Sequence, residues 1–293
     1  MATNYTTLRA RLSCAVPLLM LGTVLPAQAD NVYDTLMAGG YSDASYWDIS
    51  LGGGLFVTPE YEGSEHYKVM PVPFVSIVWN DTLFFDVRKG LGINVFSHNG
   101  FKLGTALGYN FGRKEKDSRS ELNGLGDIDG GLNAKAFIEY DAGPVKAYSN
   151  VTKYFAGSKG VSGEFGIKTF IPLAMVGGAD AGAVRPDPNV PGHGMTGPAL
   201  SLGMSAEWAD KVYMKEYYGV TATQSARSGK SVFGAAAGFK ALGVEAGLYK
   251  PVGPNLLLGT TIKYKRLVGD ADKSPVSSTS NQMSGSVFAT YSF

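Results

Sequence analysis

Met283-Ser-Gly-Ser-Val-Phe-Ala-Thr-Tyr-Ser-Phe293 ends this 293-residue chain. Counting back from Phe293, alternate positions (Tyr291, Ala289, Val287, Gly285) are apolar or small. Ser292, Thr290 and Ser286 occupy the other face, and Phe288 alone stands against the pattern. A strand that alternates in this way and stops on an aromatic at the carboxylate reads as the closing strand of an outer-membrane β-barrel. Terminal residues of a soluble domain are usually frayed and polar. The reading holds only if the rest of the chain repeats the pattern.

It does, in twelve short alternating segments separated by Gly, Asn, Asp and Pro. Residues 48–57 set Ile49, Leu51, Leu55 and Val57 against Ser50, Gly52 and Gly54. Segment 71–79 ends at the turn Asn80-Asp81, 82–88 puts Leu83, Phe85 and Val87 opposite Asp86 and Arg88, and 90–97 ends at His98-Asn99-Gly100. Segment 101–112 follows, then 131–141, where Leu132, Ala134, Ala136, Ile138 and Tyr140 face away from Asn133, Lys135 and Glu139. Segments 145–155, 162–173, 199–208, 243–250 and 256–265 continue to the terminal strand. The fold class this implies is all-β: a transmembrane antiparallel β-barrel of about 12 strands, closed by the strand ending in Phe293.

The N-terminus directs the chain out of the cytoplasm. Arg9 and Arg11, the apolar run Ala15 to Leu25 and the small-residue site Ala27-Gln28-Ala29 form a signal peptide over 1–29. Residues 30–45 are then an N-terminal periplasmic segment and 46–293 the barrel. Cys14, the only cysteine, leaves with the signal, so no disulfide or thiolate ligand is available afterwards. Cleavage leaves 24 basic against 25 acidic residues, with no basic run, which gives nucleic-acid binding no support. Only 17% of residues are charged, and no later window approaches the eighteen apolar residues of a membrane helix.

Alternation alone also fits a soluble sandwich. Two features favour the barrel. The second face carries both signs of charge among Gly and Ser, as expected of a small lumen where Lys135 or Lys168 would pair with Glu139 or Glu164. Tight connections at 80–81, 97–100, 141–144 and 251–255 alternate with long ones at 59–67, 113–129, 209–232 and 268–281, the asymmetry of periplasmic and extracellular rims. The Pro/Gly-rich stretch 174–198 is a long periplasmic exception. Tyr46, Trp47, Trp79, Tyr109, Tyr140, Trp208, Tyr264 and Tyr291, near strand ends, are expected in the interfacial girdles. Closure follows from solvent: in hydrocarbon a sheet edge leaves amides unpaired.

Several motifs resemble the MipA/OmpV family of outer-membrane barrels: Pro59-Glu-Tyr-Glu-Gly-Ser64, Tyr67 to Pro73, Gly90-Leu-Gly92, Leu122-Asn-Gly-Leu-Gly-Asp-Ile128, Tyr213-Met-Lys-Glu-Tyr-Tyr-Gly-Val220 and Asp270 to Pro275. The similarity spans the mature chain, with 174–198 as an insertion. It implies a location in the cell outer membrane and a scaffold tied to murein synthesis and hydrolysis. The implied partners are outer-membrane lipid, a lytic transglycosylase and a bifunctional murein synthase of the penicillin-binding protein class. Other members are described as antigens, adhesins or antibiotic-linked proteins.

Chemistry is sparse. His66 lies near Glu62, Ser64 and Glu65 in the first long loop, while His98 and His193 belong to the opposite rim. No G-x-S-x-G or H-E-x-x-H is present, and Asp127-Ile-Asp-Gly-Gly131 lacks the later ligands of a calcium loop. The sequence therefore assigns no catalytic, cofactor-binding or metal-binding residue, no cofactor and no enzymatic activity. The alternatives to a scaffold are a small-solute porin, whose inward Gly and Ser leave room for water, and a surface adhesin.

Overall fold

The computed structural model describes residues 47–173 and 197–293. The expected signal peptide and 30–45 segment, Tyr46, His193 and nearly all of 174–198 lie outside the described residues. Twelve strands follow the chain: β1 (Trp47–Pro59), β2 (Tyr67–Trp79), β3 (Leu83–Asp86), β4 (Gly90–His98), β5 (Phe101–Asn110), β6 (Gly131–Ala142), β7 (Val145–Tyr154), β8 (Val161–Pro172), β9 (Ala199–Ala209), β10 (Gly238–Val252), β11 (Leu256–Leu267) and β12 (Asn281–Ser292). Each pairs antiparallel with its sequence neighbours, and β12 zips to β1 from Ser50↔Ser292 to Val57↔Gly285. The barrel is closed.

Local chemistry sets the turns. Asn80 and Asp81 have φ of 51° and 47°, and Asn99 and Gly100 have 50° and 80°. These left-handed pairs twist in the sense of the strands they join, as two-residue hairpins require. At the opposite rim the long connections carry α1 (Arg119–Leu122), α2 (Lys211–Tyr218), α3 (Ala222–Ser228) and α4 (Gly269–Lys273). Two connections on this rim are short, 87–89 and 155–160.

The outward face is apolar and bare. Leu91, Leu132, Met204 and Ile262 are 62%, 60%, 58% and 57% exposed in four different strands, a distribution that water would penalise and lipid does not. Trp47 against Trp79 (6.4 Å), Phe101 stacked on Tyr140 (4.2 Å) and Tyr291 against Phe293 (5.0 Å) form one aromatic girdle at the turn rim. Tyr109 and Trp208 are exposed near the loop rim, with Tyr264 half-buried there.

The inward face differs from expectation in one respect. Four of its glycines do not open space for water, because aromatic rings of neighbouring strands lie over them. Phe84 covers Gly92, Phe137 covers Gly104, Tyr148 covers Gly166 and Phe288 covers Gly259. Phe288 is therefore in register, 6% exposed on the luminal face with Ser286 and Thr290. It belongs to an internal apolar cluster with Phe56, Val72, Phe74, Tyr249 and Leu257.

Candidate functional site: the capped lumen

The β1–β2 loop reaches into the lumen rather than out to solvent. Its Glu62 carboxylate accepts from Lys240 Nζ on β10 (2.8 and 3.0 Å) and from Lys265 Nζ on β11 (2.8 Å). Glu207 on β9 shares both lysines, at 2.6 Å from Lys240 and 3.2 Å from Lys265. Lys263 extends the cluster to Glu164 at 3.7 Å, and Lys168 pairs with Glu245 at 2.6 Å. Burial raises the Glu62 pKa, but Lys240 and Lys265 outweigh it and hold the carboxyl at about 2. On the other side of the lumen Glu139 binds Lys146 (3.0 Å) and Lys89 (3.1 Å). Opposite charges do meet inside, but Lys168 and Glu164 take partners on β10 and β11, and Lys135 lines a small luminal pocket with Lys89, Phe137, Glu139 and Tyr148.

A lid of loop helices covers the cluster. Asp210 caps α2 by accepting from the Tyr213 amide (2.8 Å), and the helix buries Tyr213, Met214, Tyr217 and Tyr218. Lys240 Nζ lies 5.8 Å from the Tyr213 ring centre. Burial pushes the Tyr213 and Tyr218 hydroxyls well up and Tyr217 to about 12, so all three stay neutral over any physiological pH. Thr221 and Gln224 form a capping box at the start of α3.

The loops are stitched to one another. Tyr61 Oη donates to the Val276 carbonyl (2.9 Å), the Gly63 amide to Gln282 Oε1 (3.0 Å) and Ser274 Oγ to the Tyr218 carbonyl (2.6 Å). Arg113 Nη1 donates to the Tyr217 carbonyl at 2.7 Å, and Gln224 Nε2 to the Leu125 carbonyl at 2.6 Å. Leu122, Val220 and Val276 are at most 2% exposed beneath them. The resemblance motifs at 59–64, 122–128, 213–220 and 270–275 thus contribute to one packed roof, while Tyr67–Pro73 and Gly90–Gly92 lie in the wall strands β2 and β4.

The His66 cluster takes a different shape from the one suggested by sequence. Glu62 turns away into the lumen, and Glu121 of α1 takes its place: ligand-capable atoms of Glu65, His66 and Glu121 lie within 4.8 Å of one another. Glu121 Oε2 accepts from Ser64 Oγ (2.8 Å) and Ser118 Oγ (3.3 Å), while Glu65 and His66 are exposed. Sequence reading missed Glu121 because it stands 55 positions from His66. Asp127 and Asp129 pair with Lys114, while Ile128 bridges Arg113, so that stretch is a braced turn.

A closed antiparallel barrel with a lipid-facing apolar belt, aromatic girdles and an ion-paired interior defines the class: this is an outer-membrane β-barrel protein, located in the outer membrane. The chain belongs to the MltA-interacting protein MipA family, whose profile matches residues 51–293. No curated protein matches it in sequence. Among solved structures it is similar to an outer membrane channel from Pseudomonas putida F1, at 12% identity and TM-score 0.43, covering 87% of this chain and 98% of that one. It is also similar to OmpT of Vibrio cholerae, at 8% identity and TM-score 0.33, covering 84% and 97%.

Proposed function

We propose that this barrel is a non-enzymatic scaffold that anchors cell-wall enzymes at the outer membrane, with a lytic transglycosylase as its first partner and a penicillin-binding protein as a second. The family supports the transglycosylase, since its name describes an interaction with one. The single structural observation behind the reading is the filled lumen: Glu62 pinned to Lys240 and Lys265 beneath the α2 roof obstructs the path a porin keeps open. We further propose that residues 1–29 are removed, that 30–45 form a periplasmic segment, and that 46–293 form the barrel. By strand parity the ends of β8 and β9, Pro172 and Ala199, then lie at the periplasmic rim with the tight turns, on the side where murein enzymes work.

Conductance in planar bilayers tests the porin alternative, with silence expected and steady openings opposing the scaffold. Affinity purification from envelopes, after crosslinking, tests the partners. Recovery of a transglycosylase supports the reading, and its absence from repeated purifications of folded barrel counts against it. Intact mass of the purified protein reports whether the mature chain starts at Asp30.

A further inference from the structure

The barrel wall is not of even height. β3 has four residues, and its pairing with β2 ends at Ser76↔Asp86. β4 starts at Gly90, and its pairing with β5 begins at Leu91↔Leu107. Among the described residues, no strand pairs with β2 on this side along 67–75, and β5 is likewise bare from Gly108 upward. The missing upper parts of two strands leave β2 and β5 about 14 Å apart, three strand spacings. This notch opens on the loop side, at the depth of the outer leaflet.

The sequence of β2 is adapted to a bare edge. The Val87 amide donates to the Val75 carbonyl (3.2 Å), so the backbone groups of odd-numbered β2 residues point into the notch. Two of those residues are Pro71 and Pro73, which have no amide hydrogen to leave unpaired. Prolines at alternate edge positions also block the addition of another strand. The notch is therefore built to stay open to something other than a β-strand.

What lies behind it is apolar. Val72 and Phe74 of β2 belong to the internal cluster with Phe56 and Phe288, and Met70 packs against it. Val87, expected on the lipid face, turns inward at the sill and packs on the same cluster, as does Phe111 beside the β5 edge. Three basic residues stand beside the opening: Lys68 lies on the luminal face of β2, and Arg88 and Lys89 form the sill, their amides held by the Asp86 carboxylate at 2.8 and 3.0 Å and the Lys89 ammonium paired with Glu139.

We propose that the notch above the β3–β4 hairpin is a lateral window that admits the acyl chain of an anionic single-chain amphiphile from the outer leaflet. The chain lies against the half-buried Met70, Val87 and Phe111, which cover Val72 and Phe74 (4% and 3% exposed), and its head stays at Lys68 and Arg88. The proposal is independent of the scaffold reading, and a barrel that binds no murein enzyme could still carry the window.

Oleate is the probe, added to the full mature protein in detergent and followed by native mass spectrometry, with methyl oleate as the uncharged comparison. One saturable oleate adduct is expected. Met70→Trp and Val87→Trp, which fill the window from two sides, should each lower its occupancy at least tenfold, while Val244→Trp on the far wall leaves it unchanged. Lys68→Gln with Arg88→Gln should weaken oleate several-fold and methyl oleate little. Heat-modifiable migration on gels establishes that each variant is folded, and two filling variants protect the test against loss of one. Absence of a saturable adduct, equal occupancy in the folded filling variants, or occupation of the notch by a second copy of the chain would overturn the proposal.

Discussion

The two sides of this barrel solve the same problem in opposite ways. On the β9–β12 side the strands run 11 to 15 residues, and the lumen behind them is filled by lysines and glutamates under a roof of helices. On the β2–β5 side the wall drops to a four-residue strand, and the lumen behind it is lined by Met70, Val72 and Phe74. A tall wall shields its interior from lipid, so buried charge is tolerable there if each charge finds a partner. A low wall brings the interior close to hydrocarbon, and apolar side chains suit that place. The division is not complete, because Tyr249, Leu257 and Phe288 carry the apolar cluster onto the tall side and Glu139 with Lys89 and Lys146 places ion pairs behind the low wall. The comparison teaches that wall height decides where the interior meets lipid.

The largest expected effect comes from removing the loop carboxylate on the tall side. Glu62→Ala leaves Lys240 and Lys265 sharing Glu207 alone, and breaking such a buried network costs about 3 kcal/mol. Thermal unfolding should shift down, and bilayer recordings of the variant should show openings absent from the parent. An unchanged midpoint with silent recordings would mean that the roof does not depend on the ion cluster.

Acid should reproduce part of that loss without mutation. Glu62 titrates near 4.5 in the unfolded chain and near 2 in the folded protein, a depressed value. Its stabilisation is fully present above pH 4.5 and fades as pH falls from 4.5 towards 2. Protease cleavage in the α2–α3 loop should rise across that window and stay flat between pH 5 and 8. Glu62→Gln should remove the window.

The apolar cluster, which joins Val72 and Phe74 of the low side to Leu257 and Phe288 of the tall side, has its own test. Gly259→Ala drives a methyl into the Phe288 ring and should cost about 2 kcal/mol, whereas Gly238→Ala, with nothing within 4 Å, should be near neutral. Equal effects would show that ring-on-glycine packing does not organise the apolar cluster. Smallest of all, Thr221→Ala removes a cap at the start of α3 and should cost about 1 kcal/mol. Because it lies above both sides, it should raise loop cleavage while leaving the barrel's unfolding midpoint where it was.

Much of this was legible from residues in order. The twelve segments, most of their inward and outward faces (Val87 and Phe111 turn inward against the pattern), the left-handed turns at Asn80-Asp81 and Asn99-Gly100 and the described girdle aromatics follow from period-two alternation and turn chemistry, which depend on near neighbours. Phe288 looked like an error in the pattern and is instead a luminal ring over Gly259. The stretch 82–88 reads as an ordinary strand, but it stops at Asp86 because that side chain accepts from the Arg88 and Lys89 amides and turns the chain early.

By itself the sequence determined that this chain is a membrane barrel, how many strands it has and which face of each meets lipid, because every strand carries that information in its own alternation. Only the tertiary structure decided which lysine meets which glutamate, that Glu121 replaces Glu62 beside His66, and that the wall is cut low between β2 and β5. Those outcomes depend on stagger between strands and on loops that cross the mouth, and residues far apart in sequence cannot announce their neighbours through local pattern.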